Sequence, residues 1–166
     1  MSLDTFRNSI FPLKDKLYRL ALSIIGNKQD AEDVVQDVLL SVWNKRADWS
    51  RIDNWEAYCV RSTRNAALDK LELSNNQLSS IPEGYDPRGN MADIHTMLEE
   101  KDQVALLERL IKELPEKQRT VFQLREIEEM SYKEIAYAMH ISEEQVKVNL
   151  FRSRQKIKEL FDKKNQ

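Results

Sequence analysis

Lys147, Val148, Phe151 and Arg152 fall within six consecutive residues and together could read a DNA duplex. An ammonium and a guanidinium suit phosphate oxygens, while an isopropyl group and a benzyl ring can meet thymine methyls in the major groove. At about 100° per residue, Val146, Leu150, Ser153, Ile157 and Leu160 share one side of a helix. Glu144, Lys147, Val148, Phe151, Arg152 and Gln155 share the other. From position 147 to 164 the basic residues are Lys147, Arg152, Arg154, Lys156, Lys158, Lys163 and Lys164, opposed only by Glu159 and Asp162.

Two elements must position that face. Ser131 with Glu134, and Ser142 with Gln145, each have the spacing of a capping box, in which side chains satisfy the orphan N–H groups at a helix start. The spacing predicts a short helix, a three-residue turn and a longer helix, with Ile135, Ala136, Met139 and Ile141 covering the apolar stripe. This is the plan of a helix-turn-helix, which sets its second helix in the major groove. The competing reading is a plain helical hairpin with a solvated basic face and Phe151 in the core.

Other chemistries find less support. The carboxylates from Asp30 to Asp37 cluster as a Mg²⁺ site would require. They share a helix with an Ala/Val stripe, however, and lack matching partners elsewhere, so a metal-dependent nuclease is disfavoured. The single Cys59 excludes an intrachain disulfide and a cysteine-rich zinc site, and is expected to be a buried structural thiol. His95 and His140 are isolated, so no metal and no cofactor are expected. No signal peptide and no apolar run of transmembrane length are evident, which makes the cytoplasm the expected location.

With 166 residues, three Gly, four Pro and 33% charged residues, the chain reads as all-α, in two small helical domains. The net charge of −2 hides an asymmetry, because residues 73–100 carry −4 and residues 101–166 carry +2. Phe6, Ile10, Leu13, Leu17, Leu20 and Ile24 recur at helical spacing, with Pro12 at a first turn or bend. Gly26-Asn27 separates that helix from one with Ala31, Val34, Val35, Val38, Leu39, Val42 and Trp43 as its buried stripe. Asp53 with Glu56 is expected to cap a third helix ending near Leu73. Residues 1–73 thus form a three-helix domain. Residues 74–93, rich in Ser, Asn, Pro and Gly, read as a flexible linker. Residues 94–166 form a four-helix unit in which Pro115 opens one helix.

Three segments carry a resemblance to the sigma-70 family of RNA polymerase sigma factors, specifically the two-domain extracytoplasmic function (ECF) group. The stretch from Tyr18 to Asp37, with its Asp-Ala-Glu-Asp-Val-Val-Gln core, resembles sigma regions 2.1 and 2.2. That from Trp55 to Asp69 resembles regions 2.3 and 2.4, and Leu114 to Glu126 with the helix-turn-helix resembles region 4. The resemblance spans nearly all of the chain outside the linker.

What the resemblance implies can be laid on single positions. Asp33, Gln36, Asp37 and Trp43 would dock on the clamp helices of the polymerase β′ subunit, and region 4 on the β flap. Asn65 would receive an extruded base of the promoter −10 element, because a side-chain amide both donates and accepts along a base edge. The loop from Asp48 to Asn54 would close over that base, and Arg61 and Arg64 would hold the strand by its phosphates. Lys147, Val148, Phe151 and Arg152 would contact the −35 duplex, with Arg125 and Arg119 beside them. An anti-sigma factor is an expected further partner, alongside core polymerase and promoter DNA, and no small-molecule substrate is expected.

The chain also departs from the family pattern. Glu144, Val148 and Asn149 replace residues common in ECF relatives, so the usual −35 preference does not transfer. Trp49 and Trp55 are the only aromatics expected to be exposed in region 2, consistent with melting of strict promoters only. The rival reading is a stand-alone helix-turn-helix regulator binding a palindromic operator as a dimer, and it lacks a heptad seam for dimerisation.

Overall fold

The computed structural model describes residues 2–77 and 102–164. Among the described residues every regular element is helical. A lead-in of short turns (Leu3–Thr5, Phe6–Ile10, Phe11–Leu13) delivers the chain to α1, Lys14–Ile25. Pro12 lies in the last of these turns, where its missing N–H costs nothing. Gly26 ends α1 at φ 75, a left-handed conformation that a side chain would strain. Asn27 then caps α2, Lys28–Asn44, by accepting from the Asp30 N–H at 3.0 Å.

The expected stripe of α2 is buried from Ala31 to Val42, and it packs with Leu17, Leu20, Ala21 and Ile24 of α1. A 3-10 turn, Arg46–Arg51, leads to α3, Trp55–Gln77. The cap of α3 is Asn54 and not Asp53. Asn54 Oδ1 accepts from the Ala57 N–H at 3.0 Å, which sets the helix start one residue later than the Asp53/Glu56 pattern suggests. The last turn of α3 runs through 74–77, into the stretch whose composition reads as linker. The rest of that stretch, with residues 94–101 and His95 among them, lies outside the described residues.

Trp49 differs from expectation. Its ring is buried within an aromatic run from Phe6 through Trp43, Trp49 and Trp55 to Tyr58, with neighbouring centroids 5.2–6.3 Å apart. Its indole N–H donates to the Val42 carbonyl at 2.8 Å. An aromatic that satisfies its one donor inside the fold belongs to the core. Cys59 is buried on α3, and burial pushes its thiol up to about 12.

The second unit comprises α4 (Asp102–Lys112), α5 (Glu116–Phe122), α6 (Tyr132–Met139) and α7 (Glu143–Lys164). Pro115 stands at the N-cap of α5. A π-helical turn, Gln123–Ile127, widens the end of α5 before the chain reverses through Glu129 at φ 58. The buried apolar residues of α1–α3 are continuous with Val121, Leu124, Met130, Ile135, Ala138, Met139, Val146 and Leu150 of this unit, so one cluster runs through both.

Candidate nucleic-acid and polymerase interfaces

Helices α6 and α7 form as their caps dictate. Glu134 N–H donates to Ser131 Oγ at 3.1 Å and Ser131 N–H returns to Glu134 Oε1 at 3.3 Å, completing the box on α6. On α7 the corresponding Gln145–Ser142 bonds are 3.1 and 3.0 Å. His140 takes a left-handed conformation in the turn, and His140 to Ser142 supply the three connecting residues. Val146 and Leu150 are buried in one cluster with Ile135 and Met139, and Ser153 is buried on the same face of α7. The opposite face stands clear, with Phe151 61% and Val148 44% exposed and Lys147 and Arg152 beside them. An exposed Phe151 removes the plain-hairpin reading, which required that ring in the core.

Arg152 lies between two shallow depressions. One is lined by Lys117, Ser142, Glu144, Gln145, Val148 and Asn149, the other by Gln118, Phe151, Gln155, Lys156 and Glu159. Lys117, the second residue of α5, is a cation beside this face that the α7 pattern does not reveal. Asn149 is tied to its own helix, donating to the Gln145 carbonyl at 2.8 Å. Arg125 and Lys147 flank the Tyr132 ring at 4.3 and 5.6 Å, and Arg125 also donates to the Met130 carbonyl at 2.9 Å. Arg119 is half-buried with its Nε unpartnered, and burial lowers its pKa while the Glu116 charge works against that. Of the six residues expected at a −35 duplex, four are therefore exposed on α7, Lys147 lying against the Tyr132 ring, while Arg119 and Arg125 are held at the edge.

On α2, Gln36, Asp37 and Leu40 form an exposed strip, with Asp33 at its start. Leu40 is 59% exposed, an apolar residue out of phase with the buried stripe, and it extends the docking face that Asp33, Gln36 and Asp37 suggested. Lys70 of α3 approaches Asp33 at 3.4 Å and Asp30 at 3.7 Å, which pins the N-terminal end of the strip. Trp43 is half-buried under the Arg46 guanidinium at 4.6 Å and belongs to the aromatic run as much as to the surface.

The three residues expected at the −10 strand are not equally available. Asn65 is exposed. Arg64 is 9% exposed and makes a bidentate ion pair with Glu116 of α5, both bonds at 2.9 Å. The Arg61 guanidinium lies over the Tyr137 ring at 5.3 Å, with Nη2 3.4 Å from His140 Nδ1. Asn54, at the end of the expected base-closing loop, donates to Glu134 Oε2 at 3.1 Å. Arg19 of α1 donates to Glu128 through Nε at 2.6 Å and Nη2 at 2.8 Å. Bonding to Glu128 raises the Arg19 pKa further, against a smaller opposing effect of burial. Each of these bonds joins the first helical unit to the second. Their separations in sequence, 109 residues for Arg19 to Glu128 and 52 for Arg64 to Glu116, leave no local signal to find them by.

Among the described residues, no group of three or more His, Cys, Asp or Glu is placed to hold a metal ion, and no helix is long and apolar enough to cross a membrane.

Comparison with known sequences and structures bears on both units. Residues 12–75 match the family described as Sigma-70 region 2, and residues 104–157 match that described as Sigma-70, region 4. The chain is 28% identical over 152 residues to the ECF RNA polymerase sigma factor SigM of Bacillus subtilis, the match covering 89% of each chain. It is 26% identical over 151 residues to the ECF sigma factor SigE of Mycolicibacterium smegmatis. That match covers 90% of this chain but only 58% of the longer relative. In fold it resembles the sigma factor RpoE of Bartonella quintana, solved with the anti-sigma factor NepR (TM-score 0.73, 19% identity, 96% of this chain and 98% of that one). It also resembles a chain from the complex of CnrH with the cytosolic domain of CnrY (TM-score 0.71, 20% identity, 97% and 90% covered).

Proposed function

Because the chain belongs to the sigma-70 family, with the two-region plan of the ECF group, we propose that it directs promoter recognition as a dissociable subunit of RNA polymerase. The observation that carries this reading is the presence of both regions in one chain, in order, over residues 12–75 and 104–157. A stand-alone regulator needs the second alone.

The α2 strip of Asp33, Gln36, Asp37 and Leu40 supplies the polymerase-docking surface, with Trp43 at its end. Polar groups rimming an exposed leucine suit an interface that must form and dissociate. Lys147, Val148, Phe151 and Arg152 enter the major groove of the −35 element, with Arg125, Arg119 and Lys117 along the phosphates. Asn65 takes a base of the −10 element, and Arg61 and Arg64 take the strand's phosphates once they are released. Unstacking a base costs a few kcal/mol, offset by the pocket and the phosphate contacts. The chain acts by binding, in the cytoplasm where polymerase and promoter meet, and catalyses no reaction itself. An anti-sigma factor is proposed as a further partner, since one of the fold's relatives was solved with such a protein.

The test is gel filtration of the purified chain with core RNA polymerase, alone and as Asp37→Arg. Co-elution lost on charge reversal supports the reading and its docking face. Absence of any complex with the wild-type chain sinks it.

A further inference from the structure

We propose that Glu144 is a base-reading residue, which selects a cytosine at one position of the −35 element through the exocyclic amino group. That role rests on the reading of the exposed α7 face as the −35 contact. Glu144 is exposed in the first turn of α7. Its phase continues the stripe of Lys147, Val148, Phe151 and Arg152, which follow it by three, four, seven and eight residues. It lines the depression that also holds Val148 and Arg152, whereas its neighbour Glu143 does not. At a rise of about 1.5 Å per residue, Glu144 stands about 6 Å from Val148 along the axis and falls on a base pair of its own.

The uncharged polar side chains at the depression are occupied within the helix. Gln145 Oε1 accepts from the Ser142 N–H at 3.0 Å, and Ser142 Oγ accepts from the Gln145 N–H at 3.1 Å. The Asn149 amide donates to the Gln145 carbonyl at 2.8 Å. Glu144, by contrast, has no hydrogen bond or ion pair among the described residues, although Lys117 and Arg152 line the same depression. An ionised carboxylate only accepts hydrogen bonds, so a base that meets it must supply the donor. In the major groove guanine presents acceptors at N7 and O6, and thymine an acceptor at O4, and these repel it. Adenine sets its N7 acceptor beside the N6 donor. Cytosine alone offers an amino group, at N4, with no acceptor on its own edge. Lys117 and Arg152, set on phosphates, offset the repulsion between Glu144 and the backbone.

The test is selection from a duplex library randomised over the −35 segment, using holoenzyme assembled from core polymerase and the full chain. Wild type should enrich cytosine at one position. Glu144→Ala should lose the preference there and keep it at the other positions. Glu144→Gln should exchange cytosine for adenine, because a glutamine amide matches the N6/N7 pair. A new preference of that kind cannot arise from misfolding. Glu143→Ala should select as the wild type does. A selected duplex is then made with 2-pyrimidinone, which lacks the amino group, in place of that cytosine. By fluorescence anisotropy it should bind wild-type holoenzyme about tenfold more weakly, and Glu144→Ala holoenzyme as tightly as the cytosine duplex does. No cytosine in the wild-type selection, or unchanged enrichment in Glu144→Ala, would overturn the proposal. Glu144 would then be a first-turn carboxylate that favours the helix dipole. Preference lost at every position in Glu144→Ala would also overturn it, marking a structural role. If the chain does not join core polymerase, the same selection on the chain alone separates the two readings. Cytosine dependence there keeps Glu144 as a base reader after the sigma-factor reading has fallen, and its absence overturns both.

Discussion

Arg152 stands on the exposed face of α7 between two depressions, opposite the buried Val146, Leu150 and Ser153. Among the described residues no ion-pair partner would have to be displaced for that guanidinium to meet a phosphate. Arg152→Ala should weaken −35 duplex binding and reduce the slope of log K against log salt by about 0.9, the contribution of one neutralised phosphate. Fluorescence anisotropy over a salt series measures both, and an unchanged slope would move Arg152 off the backbone. Asn65 is the complementary case, exposed on α3 while its cationic neighbours are engaged. Asn65→Ala should leave polymerase binding intact and lower open-complex formation, read by permanganate reactivity of unpaired thymines. Loss of polymerase binding instead would mark Asn65 as structural. Cys59 gives a control at the same scale. With its thiol buried and pushed up to about 12, it should resist iodoacetamide at neutral pH until the chain unfolds.

The helices were largely legible because their signals are local. Both capping boxes, the Gly26-Asn27 boundary and the alternating faces of α2 and α7 are set by residues three or four apart, the distance over which a helix pattern speaks. Ser131→Ala should therefore cost about 1 kcal/mol of stability, measured by urea unfolding, because the Glu134 half of the box cannot replace an acceptor for its own N–H. An equal midpoint in both proteins would mean that tertiary packing alone holds the start of α6. What the sequence hid depends on partners far along the chain. Trp49 reads as an exposed aromatic in a polar loop, yet Phe6, Trp43 and Trp55 surround it and the Val42 carbonyl accepts its indole N–H. Asp53 and Glu56 have the spacing of a cap, and Asn54 wins because its carbonyl reaches Ala57 while its amide reaches Glu134 on another helix. Leu40 breaks the buried stripe of α2, and that phase error was the available sign of the exposed strip proposed for docking. The site on α7 was readable for the same reason as the helix itself, while the engagement of Arg61 and Arg64 lies in tertiary contacts that no pattern encodes.

For the whole molecule, the link between the two helical units is polar at its edge and apolar beneath, and the two parts should respond differently to solution conditions. Salt weakens the exposed contacts first, since charges in water are screened within about 10 Å at 0.1 M, whereas the pair at the buried Glu128 persists. Acid acts through Glu134. Burial alone would push its carboxyl up, but the Asn54 amide, the Ser131 N–H and hydroxyl and the Lys16 charge outweigh burial and hold it below the usual range. A carboxylate lowered in the folded state contributes stability that is complete above its unfolded value, about 4.3, and that is lost as pH falls through the folded value. Thermal melting should thus show no contribution from Glu134 titration between pH 6 and 8, and a loss that begins as pH falls into the ordinary carboxylate range and continues below it. Glu134→Gln keeps the capping-box acceptor, because Gln serves at that position too, and removes only the charge. Its melting temperature should fall less steeply with acid than that of the wild type. The difference should stay below about 1 kcal/mol, since the group is partly exposed and screened. Coincident acid limbs would mean that the Glu134 charge does nothing for the fold. The Asn54–Glu134 bond would then be only a neutral contact, and the link between the two units would rest on Arg19, Arg64 and the shared apolar cluster.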